Sequence, residues 1–415
     1  MSTQPFQRSR PSPAIAALAL ALLLGLQPLT TDLYLPALPV LTRELGATMR
    51  QAQLTMSALI LAFGLAQLIW GPIADRWGRR PVLLTGLGTY LCASLAALAT
   101  QGIDWLITMR VLQGVALAAS VVCARAMVRD LFEPHEGTHV MSKGMSGLGL
   151  IAISSPVVGG LVTTLFGWRA AFATIALASG AALLFIWRQL PETLAERNPQ
   201  ALQPAGLLAS WLRVLRHPGF IAYAGLSAAT YGGLFVFLAG SSFVCIGVLG
   251  LAPAGYGAVM ALCSISYLGG TFVCRRWLLR HGAAGAVQRA AWFTLLGGVG
   301  MAALALAGVQ TLWAVLLPQL AYTFAHGIHQ PCGQAGAVGP FPREAGVASA
   351  LAGFVMALVA FLIGRWLGSA MDGSTRPMAL GIGAFALLTS LIAWTLVRRL
   401  VPAAVAGRQA AESAR

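Results

Sequence analysis

The sequence predicts an all-α membrane protein of twelve transmembrane helices in two six-helix halves, and three observations predict it. Of 415 residues, 58% are hydrophobic and only 9% charged, with a mean hydropathy of +0.77. So little polar surface cannot face water, and the solvent must be a bilayer. The apolar residues then fall into twelve runs of about 20, the length that crosses a hydrocarbon core as helix. Finally, the longest connection falls between the sixth and seventh runs and divides the chain six and six, as in a transporter built from two halves.

The first six runs are 14–36, 51–71, 81–100, 105–127, 142–165 and 170–190, and the second six are 219–240, 254–273, 287–309, 311–332, 346–366 and 378–397. The chain thus divides into a tail (1–13), a first half (14–190), a central loop (191–218), a second half (219–397) and a final tail (398–415). The first run follows Arg8 and Arg10 and imitates a signal peptide, but it is long enough to span and the chain continues in similar segments, so cleavage is not expected.

A net charge of +15 suggests nucleic acid, yet the arginines fall in short clusters between apolar runs, with no basic stripe and no stacking aromatics. Placing the amino terminus inside puts Arg76, Arg79, Arg80, Arg129, Lys143 and Arg188, and later Arg275, Arg276, Arg280, Arg289, Arg398 and Arg399, on the cytoplasmic side. The other side keeps chiefly Arg43, Arg50, Arg169 and Arg376. Both termini are therefore expected in the cytoplasm. The six cysteines stand singly, without a CxxC pair, so neither zinc nor a disulfide framework is expected, and no cofactor.

Asp32, in Leu29-Thr-Thr-Asp-Leu-Tyr-Leu-Pro36, is a carboxylate inside an apolar run rather than at its edge. A buried acid in hydrocarbon faces a cavity, has a partner or carries a proton. Gly25, Pro28, Leu29, Asp32 and Pro36 share one face at helical spacing, and Pro36 cannot donate to the Asp32 carbonyl. The competing reading is a carboxylate that caps the periplasmic end of the run. Arg110, in Arg-Val-Leu-Gln113-Gly114 of the fourth run, lies on the order of 9 Å below the same end. A charge pair or water-linked contact with Asp32 is then within reach. Alternatively the long arginine stem snorkels to the surface.

After the second run comes Gly71-Pro-Ile-Ala-Asp75-Arg76-Trp-Gly78-Arg79-Arg80. Two spans joined so closely need glycine for the turn, and the arginines face headgroups. A basic anchor explains the arginines but not Asp75. This GxxxDRxGRR pattern resembles the signature of the major facilitator superfamily. The resemblance implies that Asp75 caps the amino end of the eleventh helix and that Arg79 pairs with an acid ending the fourth, here Asp130 after Arg129, latching the halves on the cytoplasmic side. It also ties an arginine at the place of Arg110 to proton transfer. In the fifth run, Gly147-Leu-Gly149-Leu-Ile-Ala152 imitates a dinucleotide fingerprint, but no strand precedes it. The following Ser154-Ser155-Pro156-Val-Val-Gly159-Gly160 resembles the superfamily's antiporter motif, with Ser155 where glycine is usual. A close-packed seam of small residues with a proline bend is the simpler reading. With TDLYLPALP, RVLQG, ARAMVRD, Gly167 to Phe172 and the PET triplet at Pro191, residues 14 to 200 look like the bicyclomycin and chloramphenicol resistance branch, Bcr/CflA, of the drug:proton antiporters.

Polar residues at three- and four-residue steps mark a candidate substrate wall in the second half. Gln319, Tyr322, His326, His329 and Gln330 recur on the tenth run, with Tyr231 on the seventh and Tyr267 on the eighth; Gln113 adds to them from the first half. Such faces in lipid meet either a cavity or other helices as hydrogen-bonding glue, and a lone histidine such as His326 is commonly a satisfied donor. The expectation is a monomeric inner-membrane antiporter that expels small, mostly apolar compounds and admits protons. The rivals are a proton symporter or facilitator importing a nutrient, and a membrane sensor or enzyme. Against the last, no nucleophile with its base and no metal-ligand spacing is found.

Overall fold

Ser12 opens the first helix by accepting the Ile15 N–H at 3.4 Å, and Pro13 at the first helical position has no N–H to leave unpaired. The computed structural model describes residues 11–398, so Arg8, Arg10 and Arg399 lie outside the described residues, as does most of each tail. α1 (Pro13–Thr31) stops at Asp32, a short turn Leu35–Ala37 follows, and α2 (Leu38–Glu44) resumes the crossing. The break has a cause in proline, because Pro36 and Pro39 cannot donate to the carbonyls of Asp32 and Leu35. The apolar crossing runs through both pieces, Pro13–Glu44. This corrects the boundary 14–36: Asp32 lies mid-crossing, and Pro36 lies beyond the break rather than on one helical face with Gly25 and Pro28.

The Thr48 and Gln51 side chains cap each other's backbone N–H groups to start α3 (Met49–Trp77). Only Gly78, at φ +109°, separates it from α4 (Arg79–Leu98). α5 (Ile103–Leu131), α6 (Pro134–Phe166) and α7 (Arg169–Gln189) complete the first half. α6 runs without interruption through Pro156. The central loop holds a helix that the sequence did not foretell, α8 (Pro204–Leu215). The second half has α9 (Pro218–Ser242), α10 (Pro253–Leu306), α11 (Leu312–Val338), α12 (Ala345–Ala370) and α13 (Arg376–Trp394).

Ten of the described helical stretches are long and apolar enough to cross a membrane. One of them, α10, has 54 residues and would be about 81 Å long if straight, more than twice the hydrocarbon thickness. Gly282, at φ 65° and ψ 178°, turns it back on itself. It therefore crosses twice, as arms 253–281 and 283–306. α11 is 27 residues long, and its glutamines and histidines lower its hydropathy. Counting α10 twice and adding α11 gives twelve crossings, and no strand occurs among the described residues.

Within the first half, α5 packs between α3 and α4, and α1 packs on α6. Within the second, α10 packs on α11 and α13, and α9 on α11, α12 and α13. Two seams join the halves, α3 with α12 and α6 with the start of α10. Small residues set both. Gly64 meets Ala357 and Gly364 meets Ser57 in the first seam, while in the second Gly160 faces the Pro253 carbonyl and Gly257 the Pro156 carbonyl. Large side chains around the rim face outward, among them Leu150, Phe166, Leu177 and Leu279, as a lipid-facing surface requires.

Gly114 on α5 approaches the Leu59 carbonyl of α3 so closely that a Cβ would collide with main chain. Gly114→Val is expected to cost about 1–3 kcal/mol by overpacking and to lower the thermal midpoint in detergent. Gly300→Ala, with nothing within 4 Å of the new Cβ, is expected to leave it unchanged. Equal midpoints for the two variants would refute this α3/α5 contact.

Candidate functional site

Between the halves lies a cavity of about 160 Å³, open to the centres of water-sized occupants. Its polar lining is Gln27 and Thr31 of α1, Gln67 of α3, Arg125 of α5, and Gln330 and Gln334 of α11. Phe63, Tyr231, Leu238 and Met356 are among the apolar and aromatic lining residues. Gln27 and Gln334 are exposed, so the space reaches water. Arg125, Val338 and Ser349 place its mouth at the end of the bundle that carries Asp75 and Asp130. Toward the opposite end the halves touch, where Gln53 donates to the Ala239 carbonyl at 2.8 Å.

Asp32 is half-buried at the α1 break, beside Thr31 of the cavity wall. The Thr31 hydroxyl lies 2.8 Å from Asp32 Oδ1 and 3.1 Å from the Gln27 carbonyl, and its single proton serves one at a time. The turn that follows Asp32, Leu35–Ala37, packs against α9 and α10 of the second half.

Arg110 does not pair with Asp32, nor does it snorkel. It is wholly buried and turned into the first half, donating to the Thr55 carbonyl at 3.2 Å, the Thr30 carbonyl at 3.0 Å and Gln113 Oε1 at 3.0 Å. Its guanidinium also sits 4.3 Å above the Tyr34 ring. The reason lies in the broken helix. The last carbonyls of α1 have no intrahelical donors, and Thr30 offers one of them to the cation. Tyr34 in turn bonds Thr55 Oγ1 at 2.7 Å, Tyr90 bonds the Thr30 hydroxyl, and Gln113 donates to Ser94 at 2.8 Å.

Of the residues expected to touch substrate, Tyr231 and Gln330 line this cavity. Gln113 is spent on Arg110 and Ser94. Tyr322 donates to the Thr230 carbonyl at 3.0 Å and His326 Nδ1 lies 3.0 Å from Thr230 Oγ1. Tyr267 stacks at 5.7 Å on His326, and Gln319 is wholly buried without a hydrogen-bond partner. The polar face of α11 thus mainly glues α9, α10 and α11, the alternative its spacing left open. The sequence reading passed over Gln27, Gln67, Arg125 and Gln334. Each is a polar residue inside an apolar span, and Gln334 continues the four-residue step from Gln330.

The loop after α3 is held within its own half. Arg79 bridges Asp75 Oδ1 at 2.5 Å and Asp130 Oδ2 at 3.2 Å. Asp75 therefore does not cap the eleventh crossing, α12; Glu344 stands at that helix start and pairs with Arg213 of α8 at 2.7 Å. Arg80 donates to the carbonyls of Leu190 and Trp187 at the end of α7. Arg76 and Arg129 are exposed, and Gly71 is half-buried. The missed partner is Glu192, whose carboxylate accepts the N–H groups of Arg79 at 2.9 Å and Arg80 at 3.2 Å and so caps α4. At Gly78 a Cβ would lie 2.5 Å from Glu192 Oε2. In the antiporter-like run, Ser155 donates to the Ile151 carbonyl at 2.6 Å, and Pro156, Gly159 and Gly160 form contacts with α10 and Leu33.

Two helical halves that enclose a polar cavity in a membrane are the architecture of a transporter. The Major Facilitator Superfamily model matches residues 20–364, and the chain belongs to that superfamily of transporters; it is not an enzyme. It is similar to Multidrug resistance protein D of Escherichia coli K12, 29% identical over 389 residues, which cover 93% of this chain and 95% of that protein. A bicyclomycin resistance protein homolog of Haemophilus influenzae is 26% identical over 93% of this chain and 96% of its own length. A chloramphenicol resistance protein of Pseudomonas aeruginosa is 34% identical over 57% of this chain and 55% of its own. These relatives bear out the resemblance to the bicyclomycin and chloramphenicol resistance branch. The E. coli xylose transporter XylE, in a partially occluded inward open conformation, superposes with a TM-score of 0.72 at 13% identity, covering 92% of this chain and 97% of that one. At that identity the likeness shows the fold alone.

Arg110→Lys keeps the charge, but one ammonium cannot reach Thr30, Thr55 and Gln113 together. With charged hydrogen bonds worth about 1.5–3 kcal/mol each, the variant is expected to melt several degrees below wild type in detergent. An unchanged midpoint would contradict the role given to this network.

Proposed function

We propose that the chain is a proton-coupled antiporter of a bacterial inner membrane, with both termini in the cytoplasm, that exports small, mostly apolar compounds by alternating access. One observation carries the reading: Asp32, a carboxylate in the middle of a crossing, adjoins a water-reachable cavity between the halves. The drug-resistance names of similar proteins support export of drugs among the cargoes. The clustering of arginines at the end where the cavity opens supports a cytoplasmic mouth.

In this reading Asp32 exchanges its proton for cargo. Ionised Asp32 accepts a hydrogen bond from the Thr31 hydroxyl and leaves the cavity ready for cargo; protonated Asp32 releases that hydroxyl to the Gln27 carbonyl, four residues or about one turn back along α1. Arg110 holds Thr30, two residues before the acid, so that the break stays fixed while protonation alternates. Arg110 is a positioning residue here, not a partner of the acid. The seams of small residues are the surfaces about which the halves rock, and the latch from Asp75 to α12 would form when the mouth closes.

Asp32→Asn in inside-out vesicles is expected to abolish the dissipation of a proton gradient on addition of chloramphenicol or bicyclomycin, while the protein still inserts and melts as wild type. Undiminished coupling in this variant would reject the assignment.

A further inference from the structure

We propose that Arg125 makes the mouth of the cavity a binding site for acceptor groups. The cargo would then be neutral or monoanionic and carry a carboxylate, phenolate or similar acceptor, and permanent cations would be refused. This rests on the efflux reading and names the substrate class within it.

Arg125 projects from α5 into the cavity wall. Among the described residues its one hydrogen bond is to Ser349 Oγ of α12, at 3.4 Å, although a guanidinium carries five donors. No carboxylate lies within 4.0 Å of it among the described residues, whereas Arg79 has Asp75 and Asp130 and Arg213 has Glu344. The charge that acts on it is of its own sign, from Arg129 one turn away. None of the lining residues is acidic. Around it stand amides, and Gln330 Oε1 is buried without a partner, its Nε2 meeting only Met356 Sδ at 3.4 Å. A largely buried cation with spare donors, facing amides in a confined space, favours an acceptor and repels a second cation.

Asp32 does not cancel this charge. Arg110 is level with Thr30, and Arg125 lies fifteen residues further along α5, about 22 Å. The two charges are therefore about that far apart, and Asp32 lies outside the lining that Arg125 belongs to. An acceptor seated at Arg125, with Ser349 and Gln330 opposite, would touch both halves.

The test uses the full-length protein in detergent and three matched probes: 4-nitrobenzoate, 4-nitrobenzamide and (4-nitrobenzyl)trimethylammonium. By calorimetry the benzoate is expected to bind wild type more tightly than the amide, and the ammonium to show no saturable binding. Arg125→Gln is expected to lower the ratio of benzoate to amide affinity about tenfold, as loss of one charged hydrogen bond predicts. Arg125→Lys is expected to restore part of it. Saturable binding of the ammonium as tight as that of the benzoate, no saturable benzoate binding to wild type, or an unchanged ratio in Arg125→Gln would each overturn the proposal. These binding ratios do not depend on proton coupling, so the vesicle assay of wild type with chloramphenicol tests the efflux reading separately.

Discussion

The rest of the first half depends on how one buried cation is satisfied. Arg110 cannot be left bare in hydrocarbon, and no acid among the described residues pairs with it; carbonyl oxygens from two other helices and one side-chain amide accept its hydrogen bonds. One of those carbonyls is free because α1 is broken by proline. The same break brings the turn just after Asp32 against α9 and α10 of the second half. Cation, helix break and acid are thus a single construction, in which the arginine fixes the backbone two residues before the acid.

The two seams follow from a different constraint. Helices in lipid gain nothing from hiding apolar side chains from lipid tails, so close backbone approach must hold the halves together. Glycines 64, 160, 257 and 364 provide it. Contacts of this kind slide and tilt more readily than interlocked large side chains, which suits halves that rock. In the present arrangement the loop charges Asp75, Arg79 and Asp130 are satisfied among themselves, and Glu344 is held by the linker helix instead. The end bearing these charges is therefore the open one.

Much of this was legible in the sequence because lipid imposes simple rules. Span length and the long central loop announced the twelve crossings, and an acid within an apolar run announced Asp32. What failed did so where a backbone detail decided. Periodicity reads α1 as continuous through Pro36, which sets Asp32 one turn from the end of its run and within reach of a direct or water-linked contact with Arg110. Without the break, Thr30 has no carbonyl to offer, and spacing cannot see that. The polar steps on α11 were real, but spacing does not distinguish a face that lines water from one that bonds to α9 and α10. Arg125 falls within ARAMVRD, where nothing in the spacing sets it apart; only the assembled helices show that among the described residues no acid reaches it. Glu192 belongs to the PET triplet, yet its capping of α4 depends on Gly78 bringing two helices together.

The central claim is that cargo and proton exclude one another at Asp32, and proton release on binding tests it most directly. In weakly buffered detergent solution at a pH where the acid is partly protonated, adding chloramphenicol to wild-type protein should release protons, seen by a pH indicator. The Asp32→Asn protein should release none. Equal release from both proteins, or none from wild type under saturating cargo, would contradict the account.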